Sequence, residues 1–371
     1  MAAAPVRRPQ ALPLDVNVIH LSHSAGASDG GIAIAVAELV AAQQQAGLEA
    51  RWVTADRFKG FRRDRRLRRE LCTAAPDLLH IHGLWRSPTR IAPALAASGL
   101  PLLIAPHGML DPWARANSRW KKRLVWQLWE RRALETAHCL QALCPAEAEA
   151  MAALGLATPI TVIPNGVAIP DRSQPLAAPP WSDRVPRGDR VLLFLGRFHP
   201  KKGIGPLLEA WSQLATAAAR AGWWLALVGY GDGGRLAARV SSEGVERCLV
   251  LGPCFGDAKN ACLAGASAFV LPSFSEGLPM AALEAMAWRL PALLSPACNL
   301  PEAFGASAAW PVAADGAQLV VGLGRLFAAG DLQLAQMGEA GEGLVRSQYS
   351  WDQVAKQTRE LYRRLLAGSS R

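Results

Sequence analysis

No C-x-x-C pair occurs among the seven cysteines (Cys72, Cys139, Cys144, Cys248, Cys254, Cys262 and Cys298), which are odd in number and scattered. That spacing argues against a zinc ribbon, a dithiol redox centre or a secreted disulfide framework, so a reduced, cytoplasmic setting is expected. No run reaches the roughly 18 apolar residues of a membrane span, and Arg7 and Arg8 are followed by no apolar stretch of signal-peptide kind. The chain is therefore expected to be neither secreted nor membrane-spanning. It also lacks a Ser-His-Asp or Cys-His signature and any internal sequence repeat.

What is present suits a globular protein of two ordinary domains. The 371 residues are 51% hydrophobic and 19% charged, which excludes disorder and fibrous architectures. The net charge of +10 is uneven, since residues 1–170 hold 20 basic and 13 acidic groups. Two basic runs, from Arg57 to Arg69 and from Arg115 to Arg132, put a positive potential on the first half and call for an anionic partner there.

Short apolar segments alternate with helical patterns, the rhythm of parallel-sheet α/β domains. Strands are expected at Val16–Leu21, Ala50–Val53, Leu78–His82, Leu102–Ala105, Cys139–Leu143 and Thr161–Ile163, with helices at Gly31–Ala46 and Ser118–Ala137. A proline-rich stretch, 167–189, reads as a linker. The pattern restarts with strands at Arg190–Leu195, Trp223–Gly229, Cys248–Leu251, Ala268–Leu271 and Ala292–Ser295. Trp351–Leu366 reads as an amphipathic terminal helix. The expected division is 1–170, 171–350 and a final helix, 351–371, that crosses back to the first domain.

Ligands of open α/β sheets gather at the carboxyl ends of strands, so the loops there are where chemistry is sought. Gly196-Arg197-Phe198-His199-Pro200-Lys201-Lys202-Gly203 sets two cations, Arg197 and Lys202, ahead of a helix N-terminus, an arrangement that suits a diphosphate. After the strand ending at Leu271, Glu276 stands in a loop and Glu284 about a turn and a half inside the following helix. The two carboxylates cannot share a helical face but can bracket an elongated ligand, with the Gly277 and Leu278 backbone aimed at its oxygens. Gly229, in Val228-Gly229-Tyr230-Gly231, permits close backbone approach to a nucleotide, and Leu251 ends a strand where a base edge could be read.

These motifs, in this order and spacing, resemble the retaining GT-B glycosyltransferases of the group 1, E-x7-E type. The likeness extends to Asp29-Gly30-Gly31, to Ala105-Pro106-His107-Gly108-Met109-Leu110-Asp111, and to Val162-Ile163-Pro164-Asn165-Gly166. It implies two Rossmann-like domains facing a cleft. It also implies transfer of a hexose from a UDP- or GDP-sugar with retained configuration, without a metal or other cofactor, in pathways such as exopolysaccharide or lipopolysaccharide synthesis. By the same likeness Arg197 and Lys202 hold the diphosphate, Glu284 the ribose, and Glu276 and His107 serve the reacting sugar. Gly30 and Gly31 then form a loop over phosphate or acceptor. Trp288-Arg289, where a glycine is common, and Leu143-Cys144-Pro145, where Thr or Ser is usual before Glu147, depart from the family pattern.

Trp120, Leu124 and Leu128 recur at helical spacing beside Lys121, Lys122, Arg123, Arg131 and Arg132, and read as a buried stripe with a solvated basic face. The basic first domain is expected to lean on an anionic membrane surface and to take a glycan or polyprenyl-diphosphate-linked acceptor, with no nucleic acid. His80-Ile81-His82 has the H-x-H pattern of metal-dependent hydrolases but lacks further evident ligands, so no metal is expected. His20, His23, His138 and His199 read as structural or surface residues. The competing readings are a sugar-nucleotide epimerase or hydrolase of the same fold, and a basic membrane or nucleic-acid binder.

Overall fold

The computed structural model describes residues 16–26, 31–111 and 119–369. The chain divides into two compact units, Met1–Ile163 with Val354–Arg371, and Pro164–Gln353.

In the first unit six strands, β1 (Asn17–Ser22), β2 (Glu49–Thr54), β3 (Leu78–His82), β4 (Leu102–Ala105), β5 (Cys139–Ala142) and β6 (Ile160–Val162), form a parallel sheet in the order β2-β1-β3-β4-β5-β6. Every residue of β3, β4 and β5 is buried, as expected where helices cover both faces of a parallel sheet. Leu79, Ile81, Leu102, Ile104 and Leu140 pack with the helical Leu67, Leu71, Leu95 and Leu134. The terminal helix, Trp351–Ser369, buries Val354, Thr358, Leu361 and Tyr362, one face at helical spacing; from Val354 onward it belongs to this unit.

The second unit repeats the architecture with β7 (Arg190–Phe198), β8 (Trp223–Gly231), β9 (Cys248–Leu251), β10 (Ala268–Leu271), β11 (Ala292–Leu294) and β12 (Ala309–Pro311) in the order β12-β11-β10-β7-β8-β9, again parallel.

Four details differ from the sequence reading. β7 runs on to Phe198 because its partner β8 runs equally far, to Gly231, so Arg197 lies in a strand and not in a loop. The helix expected over 118–137 is described from Arg119 to Thr136 and contains a π-helical turn at Trp126–Glu130. In the same helix Trp120, Leu124 and Leu128 are 70%, 51% and 63% exposed; the stripe faces outward, while Ala133 and Leu134 do the packing. The proline-rich stretch is no free linker, since Trp181 is buried in the second unit's core and Pro179 lies against Gly265.

Arg172, in that stretch, donates to the Ala287 carbonyl and meets Glu342 at 3.2 Å. Glu342 also receives Arg289 at 2.5 Å and Arg346 at 2.8 Å. Arg289 has φ +63°, the left-handed region that glycine adopts freely. Burial disfavours the Glu342 anion, but hydrogen bonds from Arg289, Arg346 and Arg172 outweigh it and hold its pKa down at about 2. A depressed carboxylate pKa stabilises the fold above the ordinary value of 4.5 and the contribution fades as pH falls toward 2. Urea unfolding of Glu342→Gln should therefore show a loss of about 2–3 kcal/mol at neutral pH, shrinking steadily below pH 4.5; an equal loss at every pH would count against the hub.

Candidate functional site

Each sheet reverses its strand order once, between β7 and β10 in the second unit and between β1 and β3 in the first. At such a point the loops leaving the two neighbouring strands diverge and open a crevice at their carboxyl ends.

In the second unit the turn after β7 and the loop after β10 are fastened together. His199 Nδ1 accepts from the Lys201 N–H, Pro200–Lys202 makes one 3-10 turn, and Gly203 follows at φ +70°. A Cβ on Gly203 would stand 1.9 Å from the Pro272 carbonyl oxygen, so only glycine permits this approach. The Phe274 N–H donates to the Lys201 carbonyl at 2.7 Å. These contacts bring Lys202 Nζ to 2.6 Å from Glu276 Oε1, which also accepts from the Ser273 hydroxyl at 2.5 Å. The Glu276 backbone is held in turn, its N–H by the Ala297 carbonyl and its carbonyl by the Asn299 side chain. Glu276 is 7% exposed, so its carboxylate meets Lys202 and Ser273 and little water. Burial foremost, with the Glu276 charge adding, pushes the nearby Cys298 thiol up to about 11, too high for a nucleophile at neutral pH.

Gly277 and Leu278 are half-buried in the loop leading to the helix Met280–Ala287, whose N-cap is Pro279. Glu284, inside that helix, is ion-paired at 2.7 Å with Lys259 of the helix Gly256–Gly265. Gly229 pairs with Gly196, and a Cβ there would meet the Gly196 carbonyl oxygen at 1.8 Å. Leu251 closes β9 beside Val228. Arg197 is exposed and forms no ion pair among the described residues.

At the reversal in the first unit, a cavity of about 470 Å³ is lined by His23, His82, Trp85, Met109, Lys121 and Lys122, among others. Below it His20, His80 and His82 are buried in adjacent strands, their nearest ring nitrogens within 4.8 Å of one another, a spacing metals use. Each ring is already hydrogen-bonded through at least one nitrogen. His20 joins His82 at 2.9 Å and Gln43 at 2.8 Å, His82 joins His107 at 2.9 Å, and His80 joins Tyr362 at 2.8 Å. His20 is thus a member of the cluster and no isolated structural residue. Burial pushes His20 and His107 down to about 4, and holds His80 and His82 well below the ordinary value.

His107 has φ +55°, and the next N–H, of Gly108, is held by Glu147 Oε1 at 2.6 Å; Oε2 of the same carboxylate takes the Leu143 N–H at 2.7 Å. Gly31 opens its helix and is exposed, whereas Gly30 lies outside the described residues.

The sequence reading singled out Lys202, Glu276, Gly277 and Leu278, which the reversal gathers, and Glu284, Gly229 and Leu251 on neighbouring elements. It missed Lys259, Gln43 and Glu130. Lys259 carries no local signal, Gln43 is one polar residue on an otherwise apolar helix face, and Glu130 is one carboxylate in a basic run. Glu130 Oε2 accepts from the Trp85 N–H and the Thr89 hydroxyl, and burial pushes its pKa up to about 7.

Residues 189–328 match the family model of group 1 glycosyl transferases, and residues 55–166 that of the glycosyl transferase 4-like domain. The chain belongs to the group 1 glycosyltransferases. No curated protein sequence matches it significantly. Its fold, two Rossmann-like domains of the GT-B type, is similar to that of the sucrose-phosphate synthase from Thermosynechococcus elongatus, with a TM-score of 0.74, 20% identity, and 95% of this chain and 100% of that one covered. HepE of Anabaena in complex with UDP and glucose matches with a TM-score of 0.69 and 15% identity over 93% and 99% of the chains. WaaG, a glycosyltransferase involved in lipopolysaccharide biosynthesis, gives 0.66 and 15% over 92% and 98%.

In this glycosyltransferase Gly203 holds the two loops in register. Gly203→Ala should lower stability by about 2–4 kcal/mol, combining left-handed strain with a backbone clash. Gly234→Ala, whose Cβ meets nothing within 4 Å, is the control. Equal melting temperatures for the two variants would show that the close approach is not required.

Proposed function

We propose that this glycosyltransferase moves a hexose from a UDP- or GDP-sugar, with retention of configuration, to a glycan or polyprenyl-diphosphate-linked acceptor. The observation that carries the reading is the Lys202–Glu276 pair at the strand-order reversal, where the fold opens a ligand crevice. In this reading Lys202 and Arg197 meet the diphosphate, Glu284 accepts from ribose hydroxyls through the oxygen that Lys259 leaves available, and Glu276 faces the sugar. Positive charge near the departing diphosphate lowers the barrier most, because that charge grows in the transition state. The reading assigns the step no metal and gives His107 a place against the sugar. HepE, crystallised with UDP and with UDP-glucose, supports a uridine donor. WaaG supports a role in lipopolysaccharide or exopolysaccharide assembly.

Arg197 tests the donor site cleanly because it is exposed and makes no ion pair among the described residues. Arg197→Ala should weaken nucleoside-diphosphate binding by about tenfold, the worth of a lost charge-assisted contact, with the melting temperature unchanged. Lys202→Ala should lower both, since it strands a buried carboxylate. Calorimetry giving wild-type UDP and GDP affinity for both variants would contradict the assignment. Sugar-nucleotide turnover that proceeds equally without acceptor would favour an epimerase or hydrolase.

The acceptor side rests on the first unit. Its cavity combines Trp85 and Met109 with Lys121 and Lys122, apolar walls beside cations, as an amphiphile with an anionic head requires. The outward stripe of Trp120, Leu124 and Leu128 with exposed Lys121, Arg123, Arg131 and Arg132 has the make-up of a helix lying on an anionic bilayer. Among the described residues no helix is long and apolar enough to cross a membrane. Replacing Trp120, Leu124 and Leu128 with serine should cut sedimentation with anionic liposomes at least tenfold, at about 1 kcal/mol or more per buried side chain, while leaving UDP binding intact. Unchanged sedimentation, or equal binding to neutral vesicles, would remove the membrane from the proposal.

A further inference from the structure

One unbroken series of hydrogen bonds joins the terminal helix to His107, and the chemistry at its far end fixes the direction of every bond in it. The Thr358 hydroxyl lies 2.9 Å and 3.1 Å from the carbonyl oxygens of Val354 and Ala355, to which it donates. Its proton being committed there, Thr358 Oγ1 can only accept from Gln43, 3.0 Å away, so the amide nitrogen of Gln43 must point at it. The same nitrogen donates to the Tyr362 hydroxyl at 3.0 Å, and that hydroxyl lies 2.8 Å from His80 Nδ1.

Gln43 Oε1 is therefore turned toward His20 Nε2, 2.8 Å away, and a carbonyl oxygen can only accept. His20 must carry its proton on Nε2 and leave Nδ1 bare. His82 Nε2, 2.9 Å from that Nδ1, must donate to it, which leaves His82 Nδ1 bare in turn. His107 Nε2, 2.9 Å from His82 Nδ1, must then hold a proton. The rings are neutral at ordinary pH, since burial pushes His20 and His107 down to about 4 and holds His82 well below its usual value. A neutral imidazole has one N–H, so the series leaves His107 Nδ1 as a lone pair.

We infer that Gln43, His20 and His82, locked by Thr358 of the terminal helix, form a tautomer relay that presents His107 to the transferred sugar as a hydrogen-bond acceptor at Nδ1. Its functional half rests on the reading that His107 serves the reacting sugar. Gln43, His20 and His82 are positioning residues, because they act only through the ring of His107. An acceptor at Nδ1 recognises a hydroxyl and repels a phosphate oxygen, so the relay sorts the sugar end of the donor from its diphosphate end. Glu147 accepts from the N–H groups of Gly108 and Leu143 through its two oxygens and so fixes the loop that carries His107, leaving the ring's protonation to the relay.

The test reads tautomers directly. Nitrogen-15 NMR of the histidine rings in the full-length protein should give the Nε2–H form for His20, His82 and His107. An Nδ1–H form at His82 or His107 overturns the relay whatever the activity. Thr358→Val keeps the shape and removes the anchor; Gln43 can then turn over, and His107 should become a mixture of both tautomers. With it kcat should fall about tenfold, the worth of one hydrogen bond in the transition state, with the donor KM held within about twofold. Thr358→Ser should restore both the single tautomer and the rate. A folded Thr358→Val variant with the wild-type tautomer and wild-type kcat also overturns the relay. The reading of His107 fails separately, if His107→Ala transfers sugar at the wild-type rate while the wild-type tautomers are as inferred.

Discussion

Lys202 and Glu276 meet because a parallel sheet must change direction somewhere. With β10 laid beside β7 on one side and β8 on the other, the chain leaving β7 turns one way and the chain leaving β10 turns the other. The two loops are then neighbours at their origins and free to diverge beyond. Gly203 and the Phe274–Lys201 hydrogen bond draw them together just before they part. Everything assigned to the donor follows from that closeness: the cation for phosphate, the buried carboxylate beside it, and the backbone of Gly277 and Leu278 leading to the helix that carries Glu284.

The first unit solves the same geometry with different chemistry. Its reversal, between β1 and β3, sets His20 level with His80, and alternation along β3 puts His82 on the same face. Burial disfavours the charged form of these imidazoles, and repulsion between rings stacked so closely adds to it, so both act to keep them neutral. Neutral rings in a series have only one self-consistent proton arrangement once an end is fixed, and the terminal helix supplies that end through Thr358. The terminal helix is therefore tied to the histidine series, a connection that its amphipathic pattern alone does not indicate.

The division between what the sequence displays and what it conceals has a physical basis. Strand runs such as Leu78–His82 and Leu102–Ala105 were legible to the residue because burial on both faces leaves uninterrupted apolar segments. The glycines and the Arg197, Lys202, Glu276 and Glu284 pattern could be singled out because backbone approach and charge both restrict residue type. Trp120, Leu124 and Leu128 were misread because helical periodicity says which residues share a face and not which way that face looks. The extension of β7 through Arg197 came from the length of β8, a partner that local pattern does not contain. Lys259 and Gln43 were invisible for a related reason: each finds its hydrogen-bond partner far away in sequence, Glu284 for one and Thr358 for the other.

The two lysine–glutamate pairs in the second unit also bear on how a donor is bound. A lysine that stood free would attract any anion, as the exposed Arg197 can, and carboxylates that stood free would repel the diphosphate before the sugar could be read. Here Lys202 is held by Glu276 and Lys259 by Glu284, each at hydrogen-bonding distance. An incoming phosphate must share Lys202 with a carboxylate that is itself secured by Ser273, so phosphate alone gains less than the bare cation would offer. A complete donor recovers the difference, because its hydroxyl groups can donate to the oxygens of Glu276 and Glu284 that the lysines leave open. At the proposed donor site, pre-formed pairing would thus lower affinity for simple anions more than for a nucleotide sugar, with selectivity arising from the exchange of partners.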